Sequence, residues 1–263
     1  MKIINILKIG VTALIMNVGL ANASPILWVG DVGSNLGTVD AATGNVNVIG
    51  NMGTFMTDIA FDPLGNLYGV SFDNLYSIDK NTASASLIGN FGSASLNSLT
   101  FDAAGNLYAA NTSLYSINVA TGMASIIGNG GDAYSSSGDL AFIGGELFLS
   151  SNGTPDNLFK LDTGTGFGTL VGNIGFNAVF GLATNNNVDL FGVGGTSVLS
   201  INEATGAGAF LVDYSGQGLF AAGGSAFFAE AGATPRAVPE PSTLAIFALG
   251  MMGLASRRFK KQY

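Results

Sequence analysis

The chain has 263 residues, and it contains no histidine and no cysteine. It therefore has no disulfide, no thiolate nucleophile, no Ser-His-Asp arrangement and no histidine metal site. Between positions 24 and 240 there are three basic and seventeen acidic residues, a net charge of −14. Such a surface repels the phosphates of nucleic acids, so we expect no nucleic-acid partner.

The first 23 residues have the organisation of a secretory signal peptide. Lys2 and Lys8 are basic, residues 9–20 are mostly apolar, and a small-x-small tripeptide ends at Ala23. We predict cleavage after Ala23 and exclude residues 1–23 from the fold. The alternative is a retained N-terminal membrane anchor, which the shortness of the apolar run disfavours.

The segment that follows repeats itself with a period near 40 residues. A leucine-aromatic pair recurs at Leu27-Trp28, Leu67-Tyr68, Leu107-Tyr108, Leu147-Phe148 and Leu190-Phe191, and a weaker copy is Ala226-Phe227. Two further series, Ile-Gly-Asn and Leu-Tyr-Ser-Ile-Asp, recur in step with it. Three series in phase indicate a repeat architecture.

Each repeat is predicted to contain four short strands. In the second repeat these are "TDIAFD" from Thr57, "NLYGV" from Asn66, "NLYSID" from Asn74 and "SASLIG" from Ser84. They are rich in β-branched and aromatic residues, as strands are. The junctions combine Asp or Asn with Gly, which indicates tight Asx-type turns.

Four antiparallel strands in about 40 residues are typical of one blade of a β-propeller, so the fold class is all-β. The motifs amount to 21 strands over residues 24–230. That favours five four-stranded blades, with six as the alternative. We expect the N-terminal strands to share a closing blade with an inner strand "QGLFAAG" from Gln217, which leaves a spare strand at 26–29 or 225–229.

The blade sequences also resemble a known family of repeats. "TDIAFDPLGNLYGV" and "NSLTFDAAGNLYAA" are similar to the inner strands of NHL-type propellers. This resemblance covers roughly residues 26–230 and implies a propeller. It implies no particular activity, because propellers include hydrolases, lyases, ligand binders and scaffolds.

Most acidic residues are predicted to cap turns. Asp40, Asp79 and Asp162 recur after the third strand of a repeat, and Asn118 and Asn202 replace them elsewhere. Because asparagine cannot act as a base, this exchange favours a turn cap over catalysis.

One column of the repeat differs from the others. The first residues of the inner strands are aligned as Asp58, Ser98, Asp139, Gly181 and Gly218. Asp58, Ser98 and Asp139 are candidates for a ligand or cation site at the mouth of the channel, with Ca²⁺ as the candidate ion. The alternative is that the two aspartates are solvated strand-start residues. In a five-bladed ring they lie on different sides of the axis, so sharing one ion would require water bridges.

The C-terminal end resembles the PEP-CTERM sorting signal of exopolysaccharide-producing Gram-negative bacteria. Residues 231–238 are expected to be a linker, and Pro239, Glu240 and Pro241 precede an apolar run and a basic end within 239–263. The resemblance implies an exosortase as processing partner, transient anchoring in the inner membrane and delivery to the cell surface or matrix. A permanent C-terminal anchor is the alternative.

These features predict an exported, non-enzymatic protein of the cell surface or exopolysaccharide matrix. Its role would be structural, adhesive or ligand-binding, with matrix polysaccharide or a surface protein as partner and no cofactor. The alternative is a divalent-metal-dependent hydrolase resembling gluconolactonases, centred on Asp58 and Asp139.

Overall fold

The computed structural model describes residues 24–92, 94–129 and 134–231. These residues form five four-stranded antiparallel sheets, which are the blades of a five-bladed β-propeller. The predicted fold class and the preferred blade number are thus confirmed. None of the described residues forms a helix long and apolar enough to span a membrane. The predicted signal peptide and the sorting segment lie outside the described residues.

The twenty strands follow one another in chain order around the ring. Blade 1 contains β1 (Ile26–Asp31), β2 (Asn35–Asp40) and β3 (Val46–Asn51). Blade 2 contains β4 (Asp58–Phe61), β5 (Leu67–Ser71), β6 (Asn74–Ile78) and β7 (Ala85–Asn90). Blade 3 contains β8 (Ser98–Phe101), β9 (Leu107–Ala110), β10 (Leu114–Ile117) and β11 (Ala124–Gly128).

Blade 4 contains β12 (Ser136–Ile143), β13 (Glu146–Ser151), β14 (Asn157–Leu161) and β15 (Gly168–Asn173). Blade 5 contains β16 (Val179–Asn185), β17 (Asp189–Gly194), β18 (Ser197–Ile201) and β19 (Gly208–Asp213). The last strand, β20 (Ala222–Phe227), returns to blade 1 and pairs with β1 as its inner strand. The two ends of the chain therefore close the ring in a single blade, as predicted.

The position predicted for this closing strand is wrong. Leu219 is buried against β2, where a side chain on Gly37 would lie 2.9 Å from its Cδ1 atom. Gly216 and Gly218 have positive φ angles of 75° and 106°, so the chain turns at these positions. Residues 26–29 and 225–229 are not spare, because β1 and β20 pair through Leu27 and Phe227.

The turns between strands form as their sequences predict. Asp62 Oδ1 accepts hydrogen bonds from the backbone N–H groups of Leu64 and Asn66 at 2.9 and 2.8 Å. Gly65 follows in the left-handed region at φ 79°. The carboxylate of Asp79 and the amide oxygen of Asn118 cap the turns that follow the third strands of blades 2 and 3. This confirms that the Asp or Asn at this position of the repeat is a turn cap.

The hydrophobic core lies between neighbouring blades, in five separate clusters. In four of the five blades, the aromatic residue of the recurring leucine-aromatic pair packs at a steep angle against an inner-strand phenylalanine of the next blade. Its pairs are Trp28–Phe61, Tyr68–Phe101, Tyr108–Phe142 and Phe191–Phe227, with ring centroids 5.0–5.6 Å apart. The period of 40 residues is thus the period of the interface between blades.

Candidate functional site

The candidate residues Asp58, Ser98 and Asp139 lie on the inner strands, but none of them is open to solvent. Asp58 begins β4, Ser98 begins β8, Asp139 lies within β12, and all three side chains are 0% exposed. The interpretation of the aspartates as solvated strand-start residues is therefore wrong. The fifth member of their column is Gly224 and not Gly218, because β20 begins later than predicted.

The side chain of Asp58 joins two neighbouring blades. Its Oδ1 accepts a hydrogen bond from Ile59 N at 2.7 Å, and its Oδ2 accepts one from Leu99 N of blade 3 at 2.6 Å. Gly224 of blade 1 lies against it, since a Cβ there would be 2.4 Å from the Asp58 Cα.

The side chain of Asp139 joins three blades. Its Oδ1 accepts a hydrogen bond from Leu140 N at 2.6 Å. Its Oδ2 accepts hydrogen bonds from Leu182 N of blade 5 and from Ser225 N of blade 1, the latter at 3.4 Å. Backbone donors from three inner strands thus converge on one carboxylate.

The two carboxyl groups also hydrogen-bond to each other across the axis. The expectation that they lie apart on different sides of the axis, so that sharing one ion would require water bridges, is therefore wrong, because the five inner strands approach closely enough to fill the axis. The pair links blades 2 and 4 directly, and together with its backbone partners it connects the inner strands of all five blades.

Burial dominates the ionisation of this pair. It raises the pKa of the Asp58 carboxyl well above its ordinary value of 3.8, and the charge of nearby Asp139 adds to the effect. Burial also raises the pKa of the Asp139 carboxyl. Burial thus favours retention of protons by the pair, and the backbone N–H groups that donate to both carboxyl groups act against it.

Ser98 does not join this cluster through its hydroxyl group. Its Oγ accepts a hydrogen bond from Ala110 N at 2.9 Å, within its own blade. Among the residues that the structure describes, no three acidic side chains converge closely enough to hold a metal ion. A cation bound by the aspartate pair stays a prediction.

Another buried carboxyl with a raised pKa belongs to Glu230, in the segment that follows β20. Its Oε2 accepts a hydrogen bond from Phe227 N at 3.0 Å, and the side chain is 6% exposed. Burial, followed by the charge of Asp139, raises its pKa well above the ordinary value of 4.5. No motif in the sequence marks Glu230 as a buried residue, because its burial depends on how β20 closes the ring.

An open cavity lies at the end of the axis where the inner strands begin. It has a volume of about 120 Å³ and receives at least one residue from every blade. Its lining is Val32, Phe55, Thr57, Phe72, Asn97, Ser137, Gly138, Phe180 and Gly223. Five of the lining residues each directly precede one residue of the aligned inner-strand column, whose fifth member is Gly224. These five are Thr57, Asn97, Gly138, Phe180 and Gly223.

Two glycines allow aromatic rings to approach the axis here. A Cβ on Gly223 would lie 2.8 Å from the ring of Phe55, and a Cβ on Gly138 would lie 3.0 Å from the backbone of Phe180. Phe72 stands in the turn between β5 and β6 and is 50% exposed. The cavity was not predicted from the sequence, although an alignment of the residues that precede the inner-strand column would have identified five of its lining residues.

The polar side chains of the cavity already donate their protons to other groups of the protein. Thr57 Oγ1 donates to Val70 O at 3.1 Å, and Ser137 Oγ donates to Asp156 Oδ2 at 2.7 Å. The amide nitrogen of Asn97 donates to Ser136 O at 3.0 Å, whereas its Oδ1 is buried without a hydrogen-bond partner among the described residues. The hydroxyl oxygens of Thr57 and Ser137 therefore have only lone pairs to offer a ligand beside the aromatic rings, whereas the buried Asn97 Oδ1 does not face the cavity.

Comparison with known proteins identifies the C-terminal segment and the fold. Residues 237–261 match the PEP-CTERM protein-sorting motif. No curated protein shows significant similarity to the chain as a whole. The motif implies processing by an exosortase, export and transient membrane anchoring through the C-terminal region.

Solved structures resemble the chain in fold alone. A structural-genomics protein of unknown function from Bacteroides thetaiotaomicron has a TM-score of 0.51 at 11% identity, covering 71% of this chain and 57% of that one. A chain of a nidogen/laminin complex has a TM-score of 0.50 at 14% identity, covering 78% and 85%. A gluconolactonase from Xanthomonas campestris has a TM-score of 0.49 at 15% identity, covering 74% and 78%, which carries no argument about activity. The chain is thus a five-bladed β-propeller protein that carries a PEP-CTERM sorting signal at residues 237–261.

Proposed function

We propose that this protein is a non-enzymatic, ligand-binding component of the cell surface or exopolysaccharide matrix. The observation that carries this proposal is the aromatic cavity on the propeller axis, which all five blades build together. Ligand sites are typically concave and largely apolar, with a few polar groups that orient the ligand.

The axial carboxyl groups favour binding over hydrolysis. A metal-dependent hydrolase needs carboxylates that reach both the metal and the substrate. Asp58 and Asp139 are fully buried, and their oxygens accept hydrogen bonds from backbone N–H groups and from each other. In this arrangement the two side chains connect blades and have no face toward the cavity.

The sorting step is tested by replacing Pro239, Glu240 and Pro241 with alanine. We expect the variant to remain uncleaved and membrane-associated, whereas the unaltered chain loses its C-terminal segment and reaches the surface or matrix. Cell fractionation and mass spectrometry of the C-terminus measure both outcomes. Normal processing of the triple-alanine variant would contradict the proposed role of the motif.

The binding role is tested with the processed protein and polysaccharide from the producing cells. We expect the protein to co-sediment with this polymer, and Phe72→Ala to reduce the bound fraction. Phe210→Ala is the matched control, because Phe210 is 56% exposed on β19 and lies outside the cavity. Equal loss in both variants, or no binding by the unaltered protein, would contradict a ligand site on the axis.

The hydrolase alternative is tested in the same preparation. Turnover of a panel of lactones and esters in the presence of Ca²⁺ would contradict the non-enzymatic proposal. A rise in thermal stability with Ca²⁺ that disappears in the Asp58→Asn/Asp139→Asn variant would place a cation at the pair. We expect neither turnover nor a Ca²⁺-dependent shift in melting temperature.

A further inference from the structure

The cavity lining identifies the charge of the ligand. Among the described residues, none of the nine that line the cavity carries a charge, and the segment from 24 to 240 has a net charge of −14. An anionic ligand would approach an acidic molecule and find no cationic group in the cavity to offset the repulsion. A cation would find no exposed carboxylate there, because Asp58 and Asp139 are withdrawn below it. The chemistry of the lining is therefore that of a neutral ligand.

The hydrogen-bonding groups of the cavity indicate that the ligand donates hydrogen bonds to it. The hydroxyl protons of Thr57 and Ser137 are already given to Val70 O and Asp156 Oδ2, so each hydroxyl oxygen offers only lone pairs to a ligand. The Oδ1 of Asn97 is buried and is not accessible from the cavity. A ligand that bonds to the two hydroxyl oxygens must therefore donate a proton to each of them. Several hydroxyl groups on one small molecule meet this requirement.

The aromatic residues identify the shape of the ligand. Phe55, Phe72 and Phe180 line the cavity, and the faces of their rings carry partial negative charge. A saturated ring with a row of weakly positive C–H groups on one side packs favourably on such a face. The volume of about 120 Å³ is below the range of drug-sized pockets, so it suits one ring and not a longer segment.

From these three properties we infer that the cavity binds a single uncharged sugar ring, such as a terminal or branching residue of a polysaccharide. The ring places its C–H face on the phenylalanines and donates hydroxyl protons to Thr57 and Ser137. This inference rests on the proposed function, because it names the ligand class of the same site.

The inference is tested by titrating the processed protein with simple glycosides, observed by saturation-transfer NMR and calorimetry. The probes are neutral methyl hexosides, the corresponding uronic acids, an amino sugar and an uncharged aromatic dipeptide. We expect binding by at least one neutral hexoside, and at least tenfold weaker binding by its uronic acid. Tighter binding of the dipeptide, the uronic acid or the amino sugar than of every neutral hexoside would overturn the inference.

Variants locate the binding and separate it from the broader proposal. Phe72→Ala and Thr57→Val should each weaken hexoside binding about tenfold, a loss of about 1.4 kcal/mol. Phe210→Ala should leave it unchanged, and thermal melting checks that all three variants are folded. If the polysaccharide binds in a Phe72-dependent manner and no neutral hexoside does, the sugar class is wrong but the axial ligand site stands. If neither binds, the proposed function is wrong as well.

Discussion

Two aspartates hold the inner strands of this propeller together. Asp58 and Asp139 accept backbone hydrogen bonds from neighbouring blades, and their carboxyl groups meet across the axis. Burying two carboxyl groups is costly, but here each oxygen accepts a backbone hydrogen bond and burial favours the protonated forms. The pair therefore contributes to closure of the ring by connecting strands that are far apart in sequence.

Substituting either aspartate of the pair should destabilise the fold. Asp139→Asn places an NH₂ group against backbone donors that need an acceptor, so we expect a loss of about 1–3 kcal/mol in the free energy of unfolding. Asp58→Asn should cost less, because two backbone N–H groups donate to Asp58 whereas three donate to Asp139. Urea denaturation measures both losses. The control is Asp79→Asn at an exposed turn, where Asn118 and Asn202 already occupy the equivalent positions and we expect no measurable change.

The buried carboxyl groups also predict how stability depends on pH. The folded pKa values of Asp58, Asp139 and Glu230 are raised, so the folded state retains protons that the unfolded chain has released above about pH 4. The free energy of unfolding should therefore fall as pH rises from about 4 toward those raised values. Denaturation at a series of pH values measures this slope. It should become shallower in Asp58→Asn/Asp139→Asn, and an unchanged slope would contradict this origin.

The opposite dependence is expected at the exposed turns. The Thr165 hydroxyl and backbone hydrogen bonds lower the pKa of Asp162 below its ordinary value of 3.8. Its contribution to stability is present above that value and is lost as pH falls through the lowered one. Together with the buried groups, this places the predicted maximum of stability in mildly acidic solution.

At the scale of elements, the outer strand of one blade depends on glycine to meet the next blade. Gly89 ends β7 in the recurring Ile-Gly-Asn sequence, and a Cβ there would lie only 2.0 Å from Thr121 O of blade 3. Gly172 stands in the same relation to Thr205 O, with a corresponding distance of 2.1 Å. The recurring glycine therefore reflects contact between blades and not a turn within one.

Gly89→Ala should accordingly destabilise the protein. The added methyl group must push two backbone segments apart, which we expect to cost about 1–3 kcal/mol. The matched control is Gly164→Ala, because Gly164 lies in a surface turn where the nearest atom to a Cβ is 3.4 Å away. Chemical denaturation compares the two variants. Equal stability would contradict the close approach of blades 2 and 3 at this position.

At the scale of the whole molecule, stability depends on closure of the first blade. β20 supplies the inner strand to which β1 is hydrogen-bonded, and Phe227 packs against Phe191 of blade 5. A propeller without this strand exposes the β1 edge and the side of the axis that Gly224 and Ser225 cover.

Deleting residues 222–231 should therefore abolish cooperative unfolding of the ring. Circular dichroism during thermal denaturation measures the loss, and hydrogen exchange shows which blades lose protection. The control is the chain 24–231, which retains every described strand and should unfold in one transition. A native-like melting temperature in the shortened chain would contradict the role of the closing strand.

The repeat alone determined the all-β class, the number of blades, the turn caps and the sharing of one blade by both ends. These features depend on residues within a few positions of one another or on a pattern present several times in the chain. Asp62 and Gly65, for example, form their turn from local contacts that the sequence displays directly.

The tertiary structure alone decided where the last strand lies and what fills the axis. "QGLFAAG" has the apolar pattern of a strand, but Leu219 packs against Gly37 and the strand begins later. Asp58 and Asp139 meet although 81 positions separate them, and the cavity gathers side chains from all five blades. Such contacts depend on the radius of the closed ring and on small residues such as Gly181 and Gly224 at its centre. No single repeat contains that information, because the axis exists only when all five inner strands have met.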